Sequence, residues 1–135
     1  MENRNSPDIL ALVESMLFAC TLCPHQCGVN RLAGETGRCR AGALPKVALA
    51  SLHHWEEPCI SGLRGSGAVF FSGCNLQCCF CQNQQISQQD FGESVSCERL
   101  AEIFLAQQTQ GAHNLNLVTP TPYVPQIIAA LDLAR

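Results

Sequence analysis

The sequence has no stretch in which Lys and Arg are concentrated, and this absence bears on its partners. Among 135 residues there are 8 Lys or Arg against 11 Asp or Glu, and the formal net charge is −3. Proteins that bind nucleic acid usually carry a basic patch or stripe. The composition therefore predicts no nucleic-acid interface.

Long apolar runs are also missing. No run approaches the roughly 18 residues that a membrane-spanning helix needs, so we predict no membrane segment. The N-terminal residues lack a basic stretch ahead of a clean apolar core, and Asp8 and Glu14 interrupt the apolar residues there. Ser6 and Pro7 instead predict the start of an amphipathic helix. We expect no export signal and predict a cytoplasmic protein.

Cysteine, by contrast, is abundant, with ten in the chain. Such a density suits a secreted disulfide scaffold, but nothing here directs export. In a reducing compartment the same density indicates metal or iron–sulfur ligation, and the spacing of the cysteines decides between these.

Cys74, Cys78 and Cys81 have the spacing C-x3-C-x2-C and follow a short apolar run at 68–71. Three thiolates from one tight loop can bind three irons of a cubane and leave the fourth iron open to a small molecule. A zinc site would need a fourth ligand such as Cys79, but adjacent cysteines make poor tetrahedral partners. The spacing therefore predicts a 4Fe-4S cluster on the segment 74–81, hereafter the cluster loop.

The hydrophobic pattern around this loop predicts an α/β unit with parallel strands. The run at 68–71 is typical of a buried strand, and Ser96 is a helix cap. The expected elements are strands over 46–52, 68–71 and 115–118, a loop over 53–67, and helices over 97–110 and from Tyr123 onward.

Four more cysteines, hereafter the N-terminal cysteines, are Cys20, Cys23, Cys27 and Cys39, with the spacing C-x2-C-x3-C-x11-C. Four thiolates suit structural zinc as well as a second iron–sulfur cluster, and we favour zinc. His25 is a further candidate ligand, although a solvent-facing histidine is the commoner outcome. Incidental core cysteines are the alternative interpretation.

The remaining cysteines, Cys59, Cys79 and Cys97, have no ligand spacing and are expected to be buried thiols.

Several phrases of the sequence together resemble one family. They are GSGAVFFSGCNLQCCFCQN at 65–83, CPHQC at 23–27 with GETGRC at 34–39, and NLNLVTPT at 114–121. The chain resembles, from about residue 20 to its last residue, the radical-SAM proteins related to pyruvate formate-lyase-activating enzyme. The resemblance implies an α/β fold, the N-terminal part of a radical-SAM partial (β/α) barrel over 65–135. A small cysteine-rich metal-site segment over 20–64 and an amphipathic helix over 1–19 precede it.

The same resemblance implies that S-adenosylmethionine binds the open iron through its amino and carboxylate groups. Reductive cleavage would then yield methionine and a 5′-deoxyadenosyl radical. Phe80 is expected to shield the cluster or pack near the adenine, and Asn83 to contact the cofactor or cap a turn. Thr119 and Thr121 occupy the place where many superfamily members have a glycine-rich, acid-ended motif. No catalytic side chain is assigned.

The implied partners are a glycyl-radical enzyme and a flavodoxin- or ferredoxin-like electron donor. A complete (β/α) barrel needs about 250 residues, so we expect an incomplete chain with an unpaired parallel edge. The alternative functions are a non-catalytic iron–sulfur or zinc-binding module and an all-zinc interaction domain.

Overall fold

The computed structural model describes residues 7–135, and these form a mixed four-stranded sheet with two long helices against one face. The strands are β1 Lys46–His53, β2 Ser66–Phe71, β3 Glu93–Ser94 and β4 Leu115–Val118. The helices are α1 Pro7–Phe18, α2 Pro58–Ser61, α3 Gln84–Gln88, α4 Cys97–Thr109 and α5 Val124–Leu133. The expected cap at Ser6 lies outside the described residues.

The strands lie in the order β3-β1-β2-β4. β2 and β4 are parallel, as the sequence predicts, with Phe70 beside Val118. β1 is antiparallel to both β2 and β3. Its link to β2 contains only the short α2, whereas a parallel pairing needs a full crossover such as the one through α4.

Parallel strands are therefore predicted correctly for one pair only. The described residues form an open sheet, so the partial barrel stays a prediction.

The hydrophobic core lies between β2 and the helices α4 and α5. Val69 and Phe71 of β2 are fully buried against Leu100 and Phe104 of α4 and Ile127 of α5. Ser96 caps α4 as predicted, because its hydroxyl accepts a hydrogen bond from the backbone N of Arg99 at 3.2 Å. Removing such a cap typically costs about 1 kcal/mol.

α1 packs against α5, and Leu17 is its buried residue. The predicted amphipathic helix is thus present. None of the helices between Pro7 and Arg135 has the length and apolar character needed to cross a membrane.

The region 53–67, expected to be a loop, contains α2. Pro58 occupies its first turn, where a missing N–H costs nothing, and the Ser61 hydroxyl donates to the carbonyl of Glu56 at 3.0 Å. β1 and β2 lie on opposite sides of the expected segment boundary at residue 65, yet they share one sheet.

Candidate metal centre

The cluster loop follows the carboxyl end of β2, beside the carboxyl end of β4. Thr119 directly follows β4, and its hydroxyl donates to the carbonyl of Phe71, the last residue of β2, at 2.9 Å. Sites of α/β sheets lie at this edge because the strand ends leave a crevice there. The structure therefore places the three candidate ligands where the sequence predicts a site.

Helix α3 folds back onto the cluster loop and holds it at two points. The backbone N of Gly73 donates to the carbonyl of Ile86 at 3.0 Å. The side-chain amide of Gln88 donates to the carbonyl of Cys78, also at 3.0 Å. These bonds fix the entry and the middle of the loop against one short helix.

The three candidate ligands differ in exposure. Cys74 is buried, and Cys78 and Cys81 are half-buried. The hydroxyl of the buried Ser87 donates to the sulfur of Cys81 at 3.4 Å. Hydrogen bonds to the ligand sulfurs tune the reduction potential of iron–sulfur clusters. Sequence reasoning missed Ser87, because no spacing rule marks a serine in the helix after the loop.

The outer side of the loop is open to solvent. Phe80 is 86% exposed and Leu76 is 68% exposed. Cys79 is exposed as well, which corrects the expectation of a buried thiol.

The other two cysteines without ligand spacing also depart from expectation. Cys59 is exposed because it lies on the short surface helix α2. Cys97 is half-buried, and burial raises the pKa of its thiol.

The residues that are expected to contact the cofactor lie in different surroundings from one another. The carbonyl of Asn83 caps α3 by accepting from the backbone N of Ile86 and Ser87, while its side chain makes no capping bond. Thr119 has a left-handed backbone, with φ of 55°, and its hydroxyl is engaged at the strand ends. Thr121 is half-buried and begins a 3-10 turn. The roles of these residues and of Phe80 toward a cofactor stay predictions.

The donor set of the loop is three thiols, the ligand type of iron–sulfur clusters. Within residues 7–135, no three His, Cys, Asp or Glu side chains converge closely enough to hold one metal ion. A cubane spreads its irons over a larger volume, so each thiolate needs to reach only its own iron. Three thiols on one half-buried loop suit that geometry, and their assignment as ligands stays a prediction.

The N-terminal cysteines lie around a chain reversal. Cys20 accepts from the backbone N of Gly28 at 2.9 Å and donates its own N–H to Val29 at 3.0 Å. The thiol of Cys27 points back to the carbonyl of Cys20 at 3.9 Å. The two ends of the C-x2-C-x3-C phrase are thus adjacent in space.

Cys39 lies close to the same group. Burial raises the pKa of its thiol, Arg31 acts in the opposite direction, and Cys20 and Cys23 raise it further. Gly37, two residues before Cys39, lies against the sulfur of Cys27, so these thiols share one neighbourhood, although they do not converge on one point. A four-ligand site here also stays a prediction.

Three contacts join the chain around the N-terminal cysteines to the cluster loop. His25 Nε2 donates to the carbonyl of Asn75 at 2.8 Å. The Gln77 side-chain amide donates to the carbonyl of Arg38. Gly73, with φ of 83°, lies so close to the carbonyl of Cys39 that a Cβ would overlap it. Sequence reasoning gave no signal for this junction.

Beneath the junction, Arg31 and Tyr123 are almost fully buried. The Arg31 guanidinium donates to the carbonyls of Gly42 at 2.9 Å and Pro122 at 2.6 Å, and lies 5.6 Å from the centre of the Tyr123 ring. The Tyr123 hydroxyl donates to the carbonyl of Ser72 at 2.9 Å, just ahead of the cluster loop. Burial raises the pKa of Tyr123 to about 12, and the Arg31 charge opposes this rise.

Comparison with known proteins adds two findings. Residues 61–135, more than half of the chain, match the model of the 4Fe-4S single cluster domain. An uncharacterized protein of Methanocaldococcus jannaschii is 34% identical over 130 residues, covering 90% of this chain and 37% of that protein. The chain thus spans little more than a third of the length of that relative. No solved structure matches the chain.

Proposed function

Because the chain belongs to the family of 4Fe-4S single cluster domains, we propose that Cys74, Cys78 and Cys81 hold the cluster and that the protein cleaves S-adenosylmethionine reductively. The observation that carries this proposal is the C-x3-C-x2-C loop at the carboxyl end of β2, inside the matched region. Three protein ligands leave one iron without a thiolate, and that iron is available to a chelating small molecule.

The bound cluster would supply an electron and an open coordination site, and the product would be a 5′-deoxyadenosyl radical. The protein's own part is to hold the loop and to limit access of water. α3 holds the loop through Gly73 and Gln88, and the buried Ser87 donates to Cys81. Burial of Cys74 covers the inner side of the site.

The carboxyl end of β4 supports the proposal of a cofactor site beside the cluster loop. Thr119 bridges the ends of β2 and β4, so the backbone beyond it passes next to the cluster loop. Backbone N–H and C=O groups at such strand ends are the ordinary means of orienting a small polar ligand. We propose that Thr119 and Thr121 border the amino-acid end of S-adenosylmethionine. Asn83 and Phe80 would border the other side.

The exposed rim of the cluster loop supports the proposal of a protein partner that delivers the electron. Leu76, Cys79 and Phe80 are all exposed, and this apolar rim is next to the proposed cluster ligands. A flavodoxin- or ferredoxin-like donor that docked here would place its own cofactor near the cluster. The proposed hydrogen donor is a backbone glycine of a glycyl-radical enzyme.

A second candidate is a non-catalytic iron–sulfur module. The observation that favours it is the open sheet, in which the described residues supply one parallel pair, β2 and β4. Cofactor contacts from further strands would be missing, and each missing hydrogen bond of roughly 1 kcal/mol weakens binding about fivefold. We therefore expect slow turnover from these 135 residues alone on the first candidate, and none on the second.

The deciding experiment reconstitutes the protein with iron and sulfide without oxygen, reduces it with dithionite and adds S-adenosylmethionine. The proposal predicts a changed electron paramagnetic resonance signal of the reduced cluster, and 5′-deoxyadenosine above the level of the Cys74→Ala/Cys78→Ala/Cys81→Ala variant. Cys79→Ala is the matched control and should behave like the wild type. An unchanged signal and no 5′-deoxyadenosine from a cluster-loaded protein would establish the non-catalytic module.

A further inference from the structure

The N-terminal cysteines lie outside residues 61–135, so the family match does not assign them. We propose that they bind one zinc ion as four thiolates, and that this ion fixes the surface on which the cluster loop rests. The second half of this proposal rests on the proposed function, because it concerns retention of the cluster.

The backbone around these cysteines is folded as a small metal site requires. Cys20 exchanges hydrogen bonds with Gly28 and Val29, and the backbone N of Gln26 donates to the carbonyl of Cys23 at 3.0 Å. These hydrogen bonds close a tight turn on the segment that carries Cys20, Cys23 and Cys27. Structural zinc sites use such short ligand spacings on a turn, with a more distant pair or single ligand completing the tetrahedron.

The chain segment that carries Cys39 packs against Cys27. A Cβ at Gly37 would lie 2.6 Å from the sulfur of Cys27, so the thiol packs directly on the glycine backbone. Cys39 follows two residues later in the same turn. The thiol of Cys27 is thus next to the turn that carries Cys39, which lets both cysteines serve one ion.

The charge of Arg31 supplies an independent argument. Arg31 is 1% exposed, and no described Asp or Glu forms a salt bridge with it. Its guanidinium donates to the carbonyl of Gly42, three residues beyond Cys39. Buried charges are normally paired. A zinc ion with four thiolates carries a net charge of about −2 and would supply the missing negative partner.

Binding requires side-chain rotation, since no three ligands within residues 7–135 converge on one point. Cysteine has a single rotatable side-chain torsion between Cα and sulfur, so a change of staggered rotamer moves the sulfur without moving the backbone. Metal sites are commonly completed only when the ion binds.

The link to the cluster loop is the junction described above. The backbone of Gly73 lies against the carbonyl of Cys39. The His25 ring donates to the carbonyl of Asn75, and the Gln77 amide donates to the carbonyl of Arg38. Each contact places a residue of the loop, or its neighbour, against a proposed zinc ligand or against the chain between two of them. An ordered zinc site would therefore hold that chain in the conformation on which the loop packs.

The zinc half is tested in the full chain with Cys74, Cys78 and Cys81 all replaced by alanine, so that the outcome does not depend on the cluster. Metal analysis should find about one zinc per chain, and replacement by cobalt should give the strong visible absorption of a tetrahedral thiolate complex. Iron and sulfide in this variant would mean a second cluster and overturn the proposal. Absence of any bound metal would overturn it as well.

The supporting role is tested by the rate at which a ferrous chelator removes iron from the reconstituted protein. Cys27→Ser should lose zinc and release iron faster, whereas the exposed Cys59→Ser is the control and should change neither. Gln77→Asn keeps both ligand sets and tolerates the φ of 51°, but its shorter amide no longer reaches Arg38. It should retain zinc and release iron about fivefold faster, the effect of one lost hydrogen bond. Unchanged iron release in both variants would overturn the supporting role.

Discussion

The Ser87 hydroxyl donates to the sulfur of Cys81 at 3.4 Å, across the turn that joins the cluster loop to α3. Ser87 is 3% exposed, so water does not compete for this hydrogen bond. A donor aimed at a ligand sulfur favours the more negative, reduced state of an iron–sulfur cluster. With Cys81 as a ligand of the proposed cluster, the buried serine would raise the reduction potential.

Replacing Ser87 by alanine removes this donor and should lower the reduction potential of the cluster. A redox titration followed by electron paramagnetic resonance measures the shift. Ser61→Ala is the matched control, because Ser61 is also buried but lies on α2, remote in sequence from the loop. Equal potentials for Ser87→Ala and the wild type would contradict this role of Ser87.

Gly73, directly before the cluster loop, touches the chain carrying Cys39. Its φ of 83° and the adjacent carbonyl of Cys39 leave no place for a Cβ. Gly73→Ala should therefore destabilise the fold by well over the roughly 1–2 kcal/mol that a left-handed alanine costs. Chemical denaturation of the metal-free protein measures the loss.

Gly111→Ala separates the two causes of that loss. Gly111 has a similar φ of 90°, but nothing lies within 4 Å of a Cβ built there. This variant should lose only the conformational cost of about 1–2 kcal/mol and should reconstitute like the wild type. A loss in Gly73→Ala no larger than in Gly111→Ala would contradict the close contact with Cys39.

Tyr123 anchors the residue that precedes Gly73. Tyr123→Phe removes the hydrogen bond to the carbonyl of Ser72 and leaves that buried group without its donor, at a cost of about 1–3 kcal/mol. Thermal unfolding of the metal-free protein at neutral pH should show the difference. A wild-type stability would mean that this bond does not anchor the loop.

The same residue predicts a pH dependence. Burial raises the pKa of Tyr123 to about 12, above its ordinary value of 10.0. The folded state therefore favours the neutral phenol, and its contribution is complete below pH 10 and lost as the pH rises toward 12. The contribution is on the order of 2 kcal/mol. Over this range the wild type should lose stability more steeply than Tyr123→Phe, and parallel pH profiles would contradict the assignment.

Periodicity and spacing predict the elements that are fixed by local sequence. The helix after Ser96 and the strand at Leu115–Val118 lie where the pattern places them, because a cap and a buried apolar run act over a few residues. The antiparallel pairing of β1 with β2 depends on how the intervening chain returns, and the sequence does not encode it in a local signal.

The same distinction between local signals and features of the tertiary fold holds for the candidate site. The spacing of Cys74, Cys78 and Cys81 marks the loop without a structure, since short-range ligand spacing is a local property. Ser87 and the buried Arg31 could not be found this way. Arg31 contacts Pro122 across 91 positions of the chain, and its burial depends on the tertiary fold.

Iron and sulfide analysis after anaerobic reconstitution decides whether the loop cysteines hold one 4Fe-4S cluster. We expect about four irons and four sulfides per wild-type chain, the same for Cys79→Ala, and neither in the variant with Cys74, Cys78 and Cys81 replaced by alanine. Wild-type iron and sulfide in that triple variant would show that these three cysteines are not the ligands.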